Sequence, residues 1–270
     1  MAATTVYFSY PDIPDRAIEI VTQELYSDFR PVFNLFKGHR HHHAELENNA
    51  SSTRYIDFKL ADDDLRTADH LIIARADLLI NQGVTDITLQ RSSDYSTWTT
   101  VASDTLSVAN LTGPKSEDRI ITFTKTSAYR YWRVYFTGGI TKTRFSKLYL
   151  GNFYDIGTYP DFFNFTETDG GYLDFIADSG AAHPVQIEDQ KGVITITWNG
   201  VSDAKADDLM NGLEVIRSNA RGLFVYAPVQ TQILKDDELY HVQLQSITKD
   251  DLYGYPNWNS ITAIFKEQIG

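Results

Sequence analysis

The chain has 270 residues, of which 42% are hydrophobic and 22% are charged, and it contains no cysteine. This apolar fraction argues against a disordered chain, and the lack of cysteine excludes disulfides, thiolate zinc ligands and cysteine nucleophiles. The net charge of −12 disfavours nonspecific binding of nucleic acid, which needs a cationic face. The sequence contains no apolar run of about 18 residues, so no membrane span is predicted. The first residues show no secretory signal, which predicts folding in a cytoplasm.

Apolar residues alternate with polar ones through much of the first half, which is typical of antiparallel β-strands. Ile87 and Leu89 share one strand face, and Trp132 and Val134 share another. Turn-rich segments separate these runs. The predicted strands of this half cover 54–60, 71–74, 85–90, 119–124, 131–136 and 145–150.

One segment has the spacing of an amphipathic helix. Ser202 is a suitable cap for a helix over 203–219, and Gly222 is the expected stop. The apolar face of this helix consists of Ala206, Leu209, Leu213 and Ile216. Residues 15–26 predict a second, shorter helix with Ile18 on its apolar side.

The stretch 151–160, with two glycines and a proline, predicts a break in the chain. We therefore predict a β-sandwich over 1–152 and an α+β domain over 153–270. The predicted strands of the second domain cover 193–198, 223–227, 238–247 and 258–266.

Five pieces of the first half resemble, in order, a galactose-binding-like jelly roll, the fold of discoidin and coagulation-factor type C domains. The pieces are Tyr55–Leu60, Leu71–Ala74, Val84–Trp98, Ala128–Phe136 and Phe145–Gly151, and Asn34–Gly38 resembles the early Asn-Leu-x-x-Gly turn of the family. The resemblance covers roughly 30–152 and implies a β-sandwich. Members of this family bind sugars, and some bind lipid headgroups or a structural calcium, through variable loops to which no residue of this chain can be matched.

Three expectations concern the residues of this sandwich. The side chains of Ser92–Asp94 should bond nearby backbone in a turn. Trp98 should cover one end of the core. Arg133 should face outward, because it alternates with Trp132 and Val134.

The second half resembles assembly domains of phage tail and baseplate proteins. Trp258–Glu267 is similar to the last strand of minor tail proteins, and Asp161–Phe165 is similar to their aromatic-rich linkers. The resemblance implies a ring of subunits, expected to be six, that contacts the tail tube and tail hub. Distal tail proteins place the ring domain first, so the domain order differs here unless residues 1–30 return to complete that domain.

No catalytic motif appears, neither Gly-x-Ser-x-Gly nor His-Glu-x-x-His nor a nucleotide-binding glycine loop. Carboxylates cluster at Asp207–Asp208 and at 236–238, where solvated charge is the simplest interpretation. Asp62–Asp64 is either a calcium loop or, as we favour, a solvated acidic turn. No catalytic residue, cofactor or metal is assigned, and the chain is predicted not to be an enzyme.

Two further features leave alternatives open. The run His39–His43 either binds a transition metal, forms a pH-sensitive subunit contact, or is an exposed loop, which we favour. A predicted basic cluster either faces an acidic partner, such as another copy or an anionic glycan, or is a solvated sheet face. Its members are Lys125, Arg130, Arg133, Lys142, Arg144 and Lys147.

The sequence therefore predicts a mainly β, non-enzymatic virion component, namely a ring-forming distal or minor tail protein of a phage tail tip or baseplate. Its expected partners are other copies of itself, tail tube and hub proteins, and a host surface glycan, with no nucleic acid and no membrane. It is expected in the virion, after assembly in the bacterial cytoplasm. The alternative is a carbohydrate-binding module for host receptor recognition.

Overall fold

The computed structural model describes residues 7–9, 12–22, 44–46, 53–111, 117–138, 143–155, 161–168, 172–176, 182–186, 191–218, 223–227, 238–252 and 257–267. Several features singled out in the sequence lie outside these ranges. They are the turn at Asn34–Gly38, the histidine run His39–His43, Lys142, Gly222 and the acidic residues at 236–237.

The described helices are α1 (Asp12–Arg16), α2 (Asp77–Ile80) and α3 (Asp203–Ser218). The strands up to residue 155 are β1 (Tyr7–Ser9), β2 (Glu19–Thr22), β3 (Ala44–Leu46), β4 (Thr53–Lys59), β5 (His70–Ala74), β6 (Val84–Ser92), β7 (Thr99–Thr105), β8 (Arg119–Thr122), β9 (Tyr131–Gly138), β10 (Thr143–Phe145), β11 (Lys147–Gly151) and β12 (Tyr154–Asp155). The later strands are β13 (Phe162–Thr168), β14 (Tyr172–Ile176), β15 (Ala182–Gln186), β16 (Lys191–Ser202), β17 (Leu223–Ala227), β18 (Glu238–Asp251) and β19 (Trp258–Glu267).

Two antiparallel sheets form the sandwich. The larger has five strands in the order β2-β4-β9-β6-β7, and the smaller has three in the order β11-β5-β8. Apolar residues from both sheets belong to one buried cluster, so the core lies between the sheets. The residues that the two sheets contribute to this core are Ile56, Phe58, Leu71, Ile73, Val84, Ile87, Leu89, Ile121, Trp132, Val134, Phe136, Leu148 and Leu150.

Strand β9 is the middle strand of the larger sheet and pairs with β4 and β6. Trp132, Val134 and Phe136 are fully buried, as alternation along a strand requires for the face that meets the core. The buried indole N–H of Trp132 donates to the carbonyl of Tyr129 at 3.2 Å, so its polar group is satisfied.

The second half forms a seven-stranded sheet in the order β12-β1-β17-β18-β19-β16-β13. Helix α3 packs on one face of this sheet. Its residues Ala206, Leu209 and Leu213 are buried in one cluster with strand residues such as Trp198 and Phe265. The helix predicted over 203–219 is therefore confirmed.

The N-terminal strand belongs to this second sheet. Tyr7–Ser9 pairs antiparallel with β17, and Tyr7 and Phe8 also pair with β12. The sandwich strands thus follow β1 in the chain and precede the rest of the seven-stranded sheet. The division at residue 152 stays a prediction.

The predicted fold class, a mainly β chain with a jelly-roll sandwich followed by an α+β part with one clear helix, is confirmed. The helix predicted over 15–26 is wrong, because Glu19–Thr22 forms strand β2 against β4. Ile20 lies opposite Phe58 and packs on the core, whereas Ile18 is 67% exposed. Sheet pairing and a two-residue period therefore override the helical spacing.

No helix in the described ranges has the length and hydropathy needed to cross a bilayer. The outer face of the three-stranded sheet is buried as well, at Ile72, Ile120 and Tyr149. Lys147 lies on this face with 3% of its surface exposed. Burial lowers the pKa of Lys147 to about 7, because the interior disfavours the ammonium form.

This pKa predicts how the free energy of unfolding depends on pH. Above about pH 7 the folded chain has released a proton that the unfolded chain keeps up to its own, higher pKa, so stability rises with pH across this window. The slope is at most about 1.4 kcal/mol per pH unit. Urea unfolding at several pH values should show a smaller slope for Lys147→Met. The exposed Lys125→Met is the control and should keep the wild-type slope; equal slopes for all three proteins would contradict the prediction.

Candidate functional site

A pocket opens at one end of the sandwich, where three loops meet. It has a volume of about 480 Å³ and is bordered by the loops that join β4 to β5, β6 to β7 and β8 to β9. Its described lining residues are Asp62, Leu65, Ser93, Ser127, Ala128, Tyr129 and Arg130.

Backbone hydrogen bonds hold two of these loops together. The N–H of Leu60 donates to the carbonyl of Arg130 at 3.1 Å. Arg66 and Tyr129 exchange a pair of bonds, at 3.1 Å and 2.8 Å. Main-chain pairing between these two loops therefore contributes to the shape of the pocket.

Arg130 is the most strongly held side chain of the pocket. Its Nε donates to the carbonyl of Leu60 at 2.9 Å, its guanidinium pairs with Asp62, and it lies 4.9 Å from the ring centroid of Tyr131. The positive charge is thus balanced within the pocket. The rest of the lining offers the hydroxyls of Ser93 and Ser127 beside apolar surface.

A second feature lies on the outer face of the five-stranded sheet, and we call it the outer stack: Tyr55, Arg133 and Trp98. The guanidinium carbon of Arg133 is 4.0 Å from the ring centroid of Tyr55 and 4.0 Å from that of Trp98. Guanidinium groups bind aromatic faces at such distances through the ring quadrupole. Arg133 therefore holds both rings in place.

A buried carboxylate anchors the outer stack. Asp57 is fully buried and accepts hydrogen bonds from Nε and Nη2 of Arg133 at 2.7 Å and 2.8 Å. The hydroxyl of Tyr95 donates to the same carboxylate at 2.9 Å. Burying a carboxylate costs several kcal/mol, and this bidentate geometry with a third donor offsets that cost.

The turn between β6 and β7 brings Tyr95 and Trp98 over this face. The Ser92 hydroxyl accepts the N–H groups of Asp94 and Tyr95 at 3.2 Å and 3.0 Å. The Asp94 carboxylate accepts those of Thr97 and Ser96 at 2.8 Å and 2.9 Å, which lowers the pKa of Asp94. The predicted turn at Ser92–Asp94 is confirmed.

Tyr95 links the turn to the sheet. Its backbone has φ = 62°, a left-handed conformation that a side chain adopts at a cost. Its ring centroid lies 5.3 Å from that of Tyr131 and 5.6 Å from that of Trp98. Burial, together with the bond to Asp57, raises the pKa of Tyr95, so the phenol stays protonated and keeps donating.

The structure confirms one of the remaining expectations for the sandwich and overturns another. Arg133 points outward, between the buried Trp132 and Val134. Trp98 does not cover an end of the core, because the turn curls over the outer face and places its ring on Arg133.

The predicted basic cluster does not form one surface. Arg133 lies on the outer face of the five-stranded sheet, whereas Lys147 is buried on the outer face of the three-stranded one. Arg144 belongs to β10 and pairs with Glu45. Basic residues that lie close together in the sequence are therefore on different sheets of the structure.

The candidate acidic sites are occupied by ion pairs. Asp62 pairs with Arg130, and Asp64 pairs with Arg66 at 2.5 Å. Asp207 is exposed on α3 and pairs with Lys249 at 2.9 Å. Within the described ranges, no three His, Asp or Glu side chains come together as a metal site.

Sequence reasoning missed Tyr55, Asp57 and Tyr95 as parts of a site. Tyr55 and Asp57 could have been predicted from the alternation along Thr53–Lys59. This alternation places them, with Lys59, on the face opposite the core. Nothing local marks Tyr95, whose partner lies 38 positions away in the chain.

Neither a protein-family model nor a curated protein sequence matches this chain. Among solved structures, it is similar to a family 32 carbohydrate-binding module from a family 31 glycoside hydrolase of Clostridium perfringens, with 18% identity and a TM-score of 0.41. That match covers 53% of this chain and 93% of the module.

Two further solved structures are similar over about half of this chain. The family 32 module of Clostridium perfringens NanJ, solved with galactose, has 14% identity and a TM-score of 0.40, over 54% of this chain and 98% of its own. A Ruminococcus gnavus family 29 fucosidase, solved with fucose, has 13% identity and a TM-score of 0.40, over 51% of this chain and 25% of the enzyme. What each protein binds is a property of that protein, since one fold carries many functions.

The anchoring role of Asp57 predicts the result of a substitution. Asp57→Asn removes the charge that balances Arg133 in a largely buried setting, so the free energy of unfolding should fall by about 3 kcal/mol. Urea unfolding measures this change. Lys59→Ala on the same face is the matched control, because its partner Glu19 is 56% exposed, and it should cost less than about 1 kcal/mol. Equal losses for the two variants would contradict the anchoring role.

Proposed function

We propose that the sandwich is a non-catalytic carbohydrate-binding module whose ligand occupies the pocket at its loop end. The observation that carries this proposal is the chemistry of the lining, in which Ser93 and Ser127 hydroxyls and the Arg130 guanidinium surround apolar surface from Leu65. Leu65 is 53% exposed, so apolar surface is accessible beside these polar groups. Sugars combine hydroxyl groups with an apolar ring face, and this lining matches both.

The charge distribution favours a neutral sugar. Arg130 already pairs with Asp62, so an acidic sugar would have to compete with that carboxylate. The net charge of −12 adds long-range repulsion of an anionic ligand. The anionic glycan that the predicted basic cluster suggested is therefore less favoured as a ligand than a neutral sugar.

The same lining supports binding without catalysis. Glycoside hydrolysis uses two carboxyl groups about 5–10 Å apart on either side of the bond to be broken. Asp62 is the one carboxylate among the described lining residues, and Arg130 holds it as an ion pair.

Calorimetric titration of the full chain with galactose, glucose and galacturonic acid tests the proposal. A monosaccharide has about 12 heavy atoms, and about −0.3 kcal/mol per atom corresponds to a dissociation constant of roughly 2 mM. At least one neutral sugar should bind in this range, more tightly than galacturonic acid.

A pocket-filling variant locates the ligand. Ala128 is exposed and lines the pocket, so Ala128→Trp should fill it and weaken binding at least about tenfold while leaving the core intact. Ala109→Trp is the matched control, because Ala109 is also exposed but follows the other end of β7. If no sugar binds, or if Ala128→Trp binds as the wild type does, the proposal fails.

A second candidate function is the tail-tip or baseplate role predicted from the sequence, with a ring of copies in the virion. The placement of β1 in the seven-stranded sheet supports it, because Tyr7–Ser9 then joins the α+β part, whereas Glu19–Thr22 belongs to the sandwich. The tail tube and tail hub remain the proposed partners.

The oligomeric state separates these two candidates. A ring protein should give a mass near six copies by mass photometry or analytical ultracentrifugation. A carbohydrate-binding module acting alone needs no such assembly. A protein that stays monomeric across the micromolar range would argue against the ring.

A further inference from the structure

We propose that the outer stack continues the pocket into a second sugar subsite, so that the ligand is an oligosaccharide lying across the outer face and not a single terminal sugar. This inference rests on the proposed carbohydrate binding. It adds the length of the ligand and the path that the ligand takes.

A continuous series of contacts joins the pocket to the outer stack. Arg130 lines the pocket and lies 4.9 Å from the ring centroid of Tyr131. The ring of Tyr131 is 5.3 Å from that of Tyr95, and Tyr95 is 5.6 Å from Trp98. Ser93, also in the lining, belongs to the same turn as Tyr95 and Trp98. The path therefore follows adjacent aromatic rings.

These aromatic side chains keep accessible surface. Tyr95, Trp98 and Tyr131 are each only partly buried, although their ring contacts hold them in place. Trp98 contacts Arg133 over its ring and meets Tyr95 edge-on, at an interplanar angle of 69°. The accessible part of Trp98 is surface against which the C–H groups of a sugar ring can pack.

The outer stack is held in place before any ligand binds. The fully buried Asp57 holds Arg133 through two hydrogen bonds, and Arg133 contacts the rings of Tyr55 and Trp98. The hydrogen-bonded turn at Ser92 positions the same segment from its other end. Preorganisation of this kind reduces the conformational entropy that binding costs.

The cations beside these rings already have acidic partners, which favours a neutral ligand. Asp57 pairs with Arg133, and Glu19 pairs with Lys59, whose ammonium lies 4.2 Å from the Tyr95 ring. An acidic oligosaccharide or an acidic peptide would gain no unpaired cation here. A neutral oligosaccharide needs only aromatic surface and hydrogen-bonding groups, and the face supplies both.

Affinity as a function of chain length tests the inference. The full chain is titrated with galactose, galactobiose and galactotetraose, and with glucose, cellobiose and cellotetraose. In the series that binds, the tetrasaccharide should bind at least about tenfold more tightly than the monosaccharide, because it reaches the second subsite. Equal affinity for all lengths would overturn the inference and leave the pocket function standing; no binding of any length would overturn the pocket function itself.

Substitutions of Trp98 test the path. Trp98→Ala should remove most of the gain from chain length and leave monosaccharide affinity unchanged, and Trp98→Tyr should restore part of the gain because it keeps a ring. Trp258→Ala is the matched control, since Trp258 is 47% exposed in the other sheet, and it should change neither affinity. The inference fails if Trp98→Ala leaves tetrasaccharide affinity unchanged, or if it weakens both ligands equally in a protein with a wild-type circular dichroism spectrum.

Discussion

The alternation of side chains along β9 is the constraint on which the sandwich depends. This strand lies at the centre of the five-stranded sheet, so its inward residues, such as Trp132, meet the three-stranded sheet across the core. Its outward residues, Tyr131 and Arg133, form the middle of the opposite face. Because the period of a strand is two residues, a slip of one position would expose Trp132 and bury Arg133. One register therefore supports both the core and the proposed binding face.

The outer face shows how a polar interaction joins stability to function. Asp57 has no access to water, and its charge is tolerated only because Arg133 and Tyr95 together donate three hydrogen bonds to it. A buried pair of this kind adds little net stability compared with an apolar core, but it specifies one arrangement of its neighbours. Here the arrangement that it specifies is the position of the aromatic rings. In the pocket, by contrast, main-chain pairing between the loops acts together with the side chain of Arg130, which bonds the carbonyl of Leu60.

The sequence predicted those elements whose periodicity extends over several residues. The helix over 203–219 is an example, because Leu209 and Leu213 could be assigned to one face without knowledge of any partner. The helix prediction for residues 15–26 was wrong because Ile18 and Val21 fit a helical spacing by chance in a short segment. Pairing of Glu19–Thr22 with β4 makes this segment a strand. Of the candidate binding site, the turn at Ser92–Asp94 and the outward position of Arg133 were predictable, since both follow from local geometry.

The sequence by itself determined the class of the fold, helix α3 and the strands with a clear two-residue alternation, such as β6 and β9, because hydrophobic period, capping and turn residues act over a few positions along the chain. Only the tertiary structure decided that β1 pairs with β17 (Leu223–Ala227), which lies more than 200 positions further along the chain. It alone brought Asp57 to Arg133, which lies 76 positions further along the chain, and so assembled the outer face. The reason is physical: contacts between distant segments are set by how two sheets pack and twist, and composition or spacing within one segment contains no information about which partner it will meet.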